Sequence, residues 1–232
     1  APIYLLRART QLALGDLAAG RDDAERALAL DPAHGNDAVE LLAFVYGQVQ
    51  DPAPLIARMQ AGLQAGELPP HRMVLLARLY LQQGEETKAA ATYETALAAG
   101  SDFTILKNDL AFLLAREGRD LERAAKLAKE AQAAPGEQLA AADTLGYVYL
   151  RSGQHDAALW QFRYAAEHAN PPVAGFHHHM GLALQALGRE PEARDAFAKA
   201  LEIDPDYPDA AEARRALGAA TAEPEAADAD PS

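Results

Sequence analysis

Glycines recur along this chain at a nearly constant step, and that step constrains the fold more than any other feature. Five of them follow an apolar stripe with helical spacing: Gly15, Gly84, Gly118, Gly153 and Gly188. Successive members are separated by 69, 34, 35 and 35 residues, and the first interval is two steps of about 34.5. A second apolar stripe follows each glycine. Each unit therefore predicts two short helices that are joined by a turn and packed on each other.

Two columns of mostly small residues repeat at the same step. One column precedes each turn, at Ala8, Leu42, Ala77, Ala111, Gly146 and Gly181, and the other opens the second stripe, at Gly20, Pro54, Ala89, Ala124, Ala158 and Ala193. In the clearest unit, Gly146 lets two helices approach closely, and Phe162 is expected to fill the space beside it. Several columns repeat together, so coincidence does not explain the periodicity.

Six such units resemble the tetratricopeptide repeat, a helix–turn–helix of about 34 residues. The resemblance covers residues 1–217 and implies an all-α, right-handed α-solenoid whose concave face is lined by the first helix of each repeat. The predicted repeats lie near residues 1–34, 35–69, 70–100, 101–136, 137–173 and 174–206. A capping helix at 207–217 is expected to cover the last repeat, and the acidic tail at 218–232 is expected to be disordered.

The second repeat departs from this pattern. Its turn, at residues 50–54, lacks the glycine and carries Pro52 and Pro54, while Gly62 and Gly66 loosen the second helix. Two interpretations are open. The repeat is either a drifted copy with intact packing or a flexible hinge between two halves of the chain.

Charge and composition argue against several functional classes. The formal net charge of -13 argues against general binding to nucleic acid or anionic membranes, because both need a basic surface. The chain has no cysteine, so disulfides and thiolate chemistry are excluded. No apolar run approaches the roughly 18 residues needed to cross a bilayer. The chain starts at Ala1 inside a repeat, and we interpret it as a fragment or processed product that would lack any targeting segment.

Signals for catalysis are missing, and we expect neither enzymatic activity nor a cofactor. The sequence has no phosphate-binding Gly-rich loop, no Gly-x-Ser-x-Gly and no His-Glu-x-x-His. His177, His178 and His179 are adjacent, but successive helical residues point about 100° apart, so the three cannot converge on one metal ion. The repeat register places His178 on the concave side and His179 on another flank.

A polar row is predicted on the first helices of repeats four to six. One column holds Asn108, Asp143 and His178, and Phe112 and Tyr147 follow one turn later. The other candidate residues are Arg78, Arg151 and Gln185. One interpretation is a peptide groove in which aromatic rings anchor side chains and arginines hold a carboxylate. The other is a hydrogen-bond ladder between repeats that fixes the pitch of the solenoid.

The predicted function is a protein–protein interaction scaffold or adaptor that binds a peptide or helix of a partner in the concave groove. Some tetratricopeptide proteins bind a C-terminal carboxylate through a lysine and asparagine clamp, but the corresponding columns contain no lysine here. Motifs such as 143–149 resemble bacterial envelope and exopolysaccharide-export members of the family, which favours the periplasm or envelope over the cytoplasm. The alternative is a structural spacer or a self-assembling solenoid arm without a peptide site.

Overall fold

The computed structural model describes residues 1–31, 35–48, 52–136 and 138–219. Within these ranges the chain forms thirteen α-helices and no strand, which confirms the prediction of an all-α helical-repeat solenoid. The helices are α1 (Pro2–Ala13), α2 (Leu17–Leu30), α3 (Asn36–Gly47), α4 (Ala53–Gln64), α5 (Pro70–Gln82), α6 (Glu86–Ala98), α7 (Thr104–Glu117), α8 (Leu121–Ala133), α9 (Gln138–Arg151), α10 (His155–His168), α11 (Ala174–Ala186), α12 (Glu190–Ile203) and α13 (Ala210–Ala219). None of these described helices is long and apolar enough to span a membrane.

The periodic glycines are the turns of helical hairpins. Gly15, Gly84, Gly118, Gly153 and Gly188 all have φ between 67° and 83°, a left-handed conformation in which a side chain is strained. In the first hairpin, the carboxylate of Asp16 accepts a hydrogen bond of 3.0 Å from the amide of Ala19 and so caps α2. A glycine at this place lets one helix end and the next begin within a few residues.

The chain divides into two compact units, Ala1–Leu114 and Ala115–Ser232. In the first unit, α1 packs on α2, α5 packs on α6, and α3 packs on both α2 and α5. Arg72 and the hydroxyl of Tyr46 both donate to Glu25, which links α5 and α3 to α2. Burial alone would raise the pKa of Glu25, but these hydrogen bonds and the charge of Arg72 lower it.

The second helix of the predicted repeat 35–69 is less firmly packed than its counterparts. Within α4, only Met59 is buried, whereas α6 buries five residues, Tyr93 among them. Helix α4 includes both Pro54 and Gly62. Pro54 does not prevent the helix, because proline is tolerated in the first turn. Residues 49–51, in the turn without a glycine, lie outside the described residues, so the choice between hinge and rigid repeat stays a prediction.

The second unit is built on two glycines that face two buried phenylalanines. A Cβ on Gly146 would lie 2.6 Å from Cε1 of Phe162, and a Cβ on Gly181 would lie 2.7 Å from Cε1 of Phe197. Both rings are almost completely buried. The absence of a side chain at these glycines therefore lets α9 pack on α10 and α11 pack on α12.

Helix α13 covers the end of this unit. Tyr207, Ala210 and Ala213 are buried in its core, while Glu212, Arg214 and Arg215 are exposed. The helix begins three residues later and ends two residues later than the predicted range 207–217. Most of the predicted acidic tail, residues 220–232, lies outside the described residues.

Candidate functional site

Five of the predicted site residues lie on two neighbouring first helices of the second unit. Helix α9 carries Asp143, Tyr147 and Arg151, and helix α11 carries His178 and Gln185. We call the exposed and partly exposed members of this set, namely Asp143, Tyr147, Arg151 and Gln185, the α9–α11 surface.

Asp143 is held by a histidine from the next hairpin. Nδ1 of His179 lies 2.8 Å and 3.0 Å from the two carboxylate oxygens of Asp143, and both side chains are mostly buried. The sequence register had placed His178 in this row and His179 on another flank, and the structure corrects that assignment. Burial alone would lower the pKa of His179, but the charge and hydrogen bond of Asp143 raise it, with help from Asp209 and Glu212.

His178 is not part of the surface, because its side chain is only 1% exposed. Its Nδ1 is hydrogen bonded to the hydroxyl of Tyr207 at 2.8 Å, and its Nε2 lies 3.5 Å from Glu212 of α13. Burial and the neighbouring charge of His179 lower the pKa of His178. His178 therefore fastens the segment that leads into α13.

The three adjacent histidines enter three different environments. His177 lines a groove between α10, α11 and α12, where burial and the charge of Lys199 lower its pKa. His178 faces Tyr207 and His179 faces Asp143. No group of three or more His, Cys, Asp or Glu side chains is placed to hold a metal ion in the part of the chain that is described.

The partly exposed ring of Tyr147 packs on His179, the histidine that pairs with Asp143. Its centroid lies 5.6 Å from the ring of His179, which also packs 5.4 Å from the buried Phe162. Asp143 fixes the imidazole of His179, so the ring on which Tyr147 packs has little freedom to move. The geometry thus presents a large amphipathic side chain with restricted freedom, which is what a binding anchor requires.

Arg151 and Gln185 are exposed at the C-terminal ends of their helices. Nη1 of Arg151 donates a hydrogen bond of 2.8 Å to the backbone carbonyl of Arg116. A guanidinium has five N–H donors, so this bond orients Arg151 without using its whole donor capacity.

The other three predicted site residues lie in the first unit. Arg78 donates to Asp109 at 3.1 Å, and the hydroxyl of the buried Tyr93 donates to the same carboxylate at 2.7 Å. The Oδ1 atom of Asn108 is buried without a hydrogen-bond partner among the described residues. Phe112 is partly buried. The guanidinium of Arg78 is therefore paired with Asp109 within the first unit.

Asp109 and His179 are the two polar residues that the sequence reasoning missed. Each stands two residues before the small-residue column, at the same place in its repeat as Leu6, Glu40, Leu75 and Thr144. A charged or imidazole side chain in a column that also holds leucine was the available signal, although the exposed Glu40 carries the same signal. Whether the predicted set binds a partner stays a prediction.

The paired Asp143 and His179 make stability depend on pH. Replacing Asp143 with asparagine should cost about 1.5 kcal/mol near pH 6, the usual contribution of a charged hydrogen bond. Below the ordinary histidine pKa, the folded and unfolded states both carry the proton and the pair contributes fully. As pH rises through the raised pKa of His179, the folded state also loses the proton, and the part of this contribution that depends on the charge disappears.

Urea unfolding of the native chain and the Asp143→Asn variant between about pH 5.5 and pH 9 checks this expectation. His178, whose lowered pKa favours stability at higher pH, is present in both proteins. Part of that lowering comes from the charge of His179, so the difference reports the two histidines together. Asp156→Asn, at an exposed position of α10, is the control. A difference that does not change with pH would contradict the assignment of the proton to His179.

Comparisons with known proteins agree with this architecture. Residues 1–34 and 174–207 each match a tetratricopeptide repeat model, and residues 55–164 match a model of ChAPs, the Chs5p-Arf1p-binding proteins. Tetratricopeptide repeats are thus recognised at residues 1–34 and 174–207, and the helical hairpins between them have the same fold. No curated protein matches the chain.

Solved structures with the same fold are distant in sequence. A chain of the APC/C hetero-tetramer Cut9–Hcn1 is 17% identical with a TM-score of 0.67; the match covers 92% of this chain and 42% of that one. TTC0263, a tetratricopeptide repeat protein of Thermus thermophilus, is 22% identical with a TM-score of 0.53, over 93% and 98% of the two chains. BtubC from P. vanneervenii is 22% identical with a TM-score of 0.52, over 97% and 96%. At these identities the likeness concerns the fold alone.

The class sets a coarse expectation for function. Tetratricopeptide repeats mediate protein–protein interactions, and proteins built from them are in general non-enzymatic scaffolds.

Proposed function

We propose that the chain is a protein-interaction scaffold that binds a peptide or helix of a partner protein, with the α9–α11 surface as part of the binding site. The repeat class supports a scaffold. The position of Tyr147 supports this particular surface, and it is the observation on which the proposal chiefly rests.

Tyr147 has the properties of an interface anchor. Tyrosine is among the residues that contribute most to binding energy at protein interfaces. Its ring packs on His179, and His179 is fixed by two contacts with Asp143. Little conformational entropy is then lost when a partner covers the ring, so more of the contact energy appears as affinity.

The polar groups around Tyr147 favour a partner that offers hydrogen-bond acceptors. Asp143 is already paired with His179, so its repulsion of a nearby carboxylate is reduced. Arg151 is exposed and retains N–H donors beyond the one bound to Arg116. Gln185 is also exposed and supplies both a donor and an acceptor. A backbone segment or an acidic side chain of the partner meets these groups.

Replacing Tyr147 with alanine tests the proposal. We expect partner binding to weaken by at least about 2 kcal/mol, because a central aromatic anchor is removed. Affinity capture from a bacterial lysate with the 232-residue chain, followed by mass spectrometry, identifies the partner. Titration calorimetry with that purified partner then measures the loss.

Trp160→Ala is the matched control, because this ring is 63% exposed and lies on α10, a helix that carries none of the residues of the α9–α11 surface. Gln185→Ala provides a second variant at an exposed position, where substitutions usually change stability little. Thermal unfolding of every variant separates lost binding from lost stability. Unchanged affinity in a Tyr147→Ala, Gln185→Ala double variant would contradict the proposal.

A structural spacer is the second candidate, and one observation favours it. Asp143 and His178 both find partners inside the chain, as expected for a ladder that sets repeat geometry. In that case Asp143→Ala would lower the melting temperature, and any change in binding would follow stability alone. The envelope setting implied by the motifs of repeats four to six stays a prediction.

A further inference from the structure

Two arginines lie side by side at one edge of the second unit. Arg151 ends α9, and Arg116 lies in the last turn of α7, 35 residues earlier. Nη1 of Arg151 donates a hydrogen bond of 2.8 Å to the backbone carbonyl of Arg116. We call Arg116 and Arg151 the arginine edge. The neighbouring carboxylate of Glu117 is hydrogen bonded to Arg119, so it does not neutralise the edge.

Arg151 keeps donors for a carboxylate. Its side chain is exposed, and among the described residues it has the carbonyl of Arg116 as a hydrogen-bond acceptor and no carboxylate partner. A guanidinium has five N–H donors and can hold a carboxylate through two of them. Asp143, on the same helix, is already paired with His179, which reduces its repulsion of a further carboxylate. The edge therefore suits an acidic segment.

The sequence contains such a segment. Residues 220–232, which lie outside the described residues, include Glu223, Glu225, Asp228 and Asp230 and no lysine or arginine. The chain as a whole carries a net charge of -13, so an acidic segment is repelled by much of its surface and attracted where unopposed arginines lie. Charge thus favours the arginine edge as the place where this segment meets its own chain.

The acidic segment begins close enough to reach that edge. Helix α13 packs on α12 as α11 packs on α10, so α13 occupies the place of a first helix. Its last residue, Ala219, stands 34 residues after Gln185, one repeat step, and α13 therefore ends at the same level as α11 and α9. Two steps between packed helices make about 20 Å from α13 to α9. At about 3.3 Å per residue, Glu225 can reach Arg151.

We propose that the acidic segment 220–232 binds the arginine edge of its own chain and competes there with a partner of the α9–α11 surface, since Arg151 belongs to both. Exposed ion pairs are individually weak, but the tether keeps the effective concentration of the segment in the millimolar range. The contact is therefore partial, sensitive to salt and displaced by a tighter ligand. The competition rests on the proposed function, whereas the contact itself does not.

Paramagnetic relaxation enhancement in the 232-residue chain tests the contact without any partner. The chain has no native cysteine, so a nitroxide on Ala226→Cys labels the acidic segment alone. The matched control is a neutral segment of equal length, with Glu223→Gln, Glu225→Gln, Asp228→Asn and Asp230→Asn. The amide of Arg151 should broaden at least about twice as much with the native segment as with the neutral one, because the tether is the same and only the attraction differs. The amide of Gly175, at the other end of α11, should show little difference.

Two further measurements complete the test. Salt at about 1 M, where the Debye length is about 3 Å, should remove the difference at residue 151, and Arg151→Gln should reduce it. Equal broadening by the native and neutral segments, or a difference that salt leaves unchanged, would overturn the proposal.

The competition is measured with the purified partner. The neutral segment should tighten partner binding by about two- to fivefold, because the tethered competitor is lost. Unchanged affinity beside a detected contact would overturn the competition. The Tyr147→Ala test of the proposed function does not involve the acidic segment, so failure of that function is distinguishable from failure of the contact.

Discussion

Replacing Phe162 with alanine should destabilise the second unit by about 3–5 kcal/mol, the usual cost of removing a buried phenylalanine ring. Phe162 is fully buried and packs directly against Gly146. Because Gly146 has no side chain that can move into the space, the cavity left by the ring cannot close easily. The loss should appear as a lower urea midpoint when unfolding is followed by circular dichroism.

Trp160→Ala provides the comparison on the same helix. It removes a still larger ring, but one that is mostly exposed and stacks on Tyr164 at 5.9 Å. We expect its effect to stay within about 0.5 kcal/mol, as for most surface substitutions. If the two variants lost equal stability, Phe162 would not be the core residue that the structure shows.

The hairpin fold follows from the sequence because its signals are local. The turn glycines take a conformation that other residues adopt only with strain, so their spacing marks the turns directly. The predicted contact between Gly146 and Phe162 is confirmed for a similar reason. A missing side chain beside a large ring in one hairpin leaves few ways for the two helices to pack.

The site was harder to predict, because a column of residues shows the period but not which neighbour each side chain faces. Adjacent helical positions point about 100° apart, so a shift of one residue exchanges the two sides of α11. His179 faces Asp143 of the preceding hairpin, and His178 faces Tyr207 and Glu212 of the capping segment. That capping segment is not a full repeat, so the periodicity carried no information about what it would bury.

The same reasoning explains why the pairing of Arg78 with Asp109 was not predicted. The sequence had indicated Arg78 as an arginine that could hold a carboxylate of the partner, whereas Asp109, one position beyond the predicted column, accepts its hydrogen bond. The pairing also satisfies the buried hydroxyl of Tyr93. Burial raises the pKa of Tyr93 well above its usual value, and the neighbouring Asp109 raises it further. Such three-membered contacts depend on tertiary packing that a single column does not encode.

Leucine in place of Gly146 should cost about 3 kcal/mol, at the upper end of the usual penalty for overpacking. Its Cβ alone would lie 2.6 Å, 2.7 Å and 3.1 Å from three atoms of the Phe162 ring, and that ring is fully buried. The gain in helix propensity over glycine, about 0.8 kcal/mol, offsets only part of this cost. Urea unfolding measures the net effect.

Gly175→Ala is a control for helix propensity, because a Cβ at this position of α11 would meet no atom within 4 Å apart from the adjoining backbone of its own helix. We expect it to stabilise the chain by up to about 1 kcal/mol, and Gly146→Ala should fall below it. Combining Gly146→Leu with Phe162→Ala is decisive, since the new side chain then enters the space that the ring has left. The double variant should lose clearly less than the sum of the single losses. Additive losses would show that the two positions do not share one space, which would contradict the packing of α9 on α10 described above.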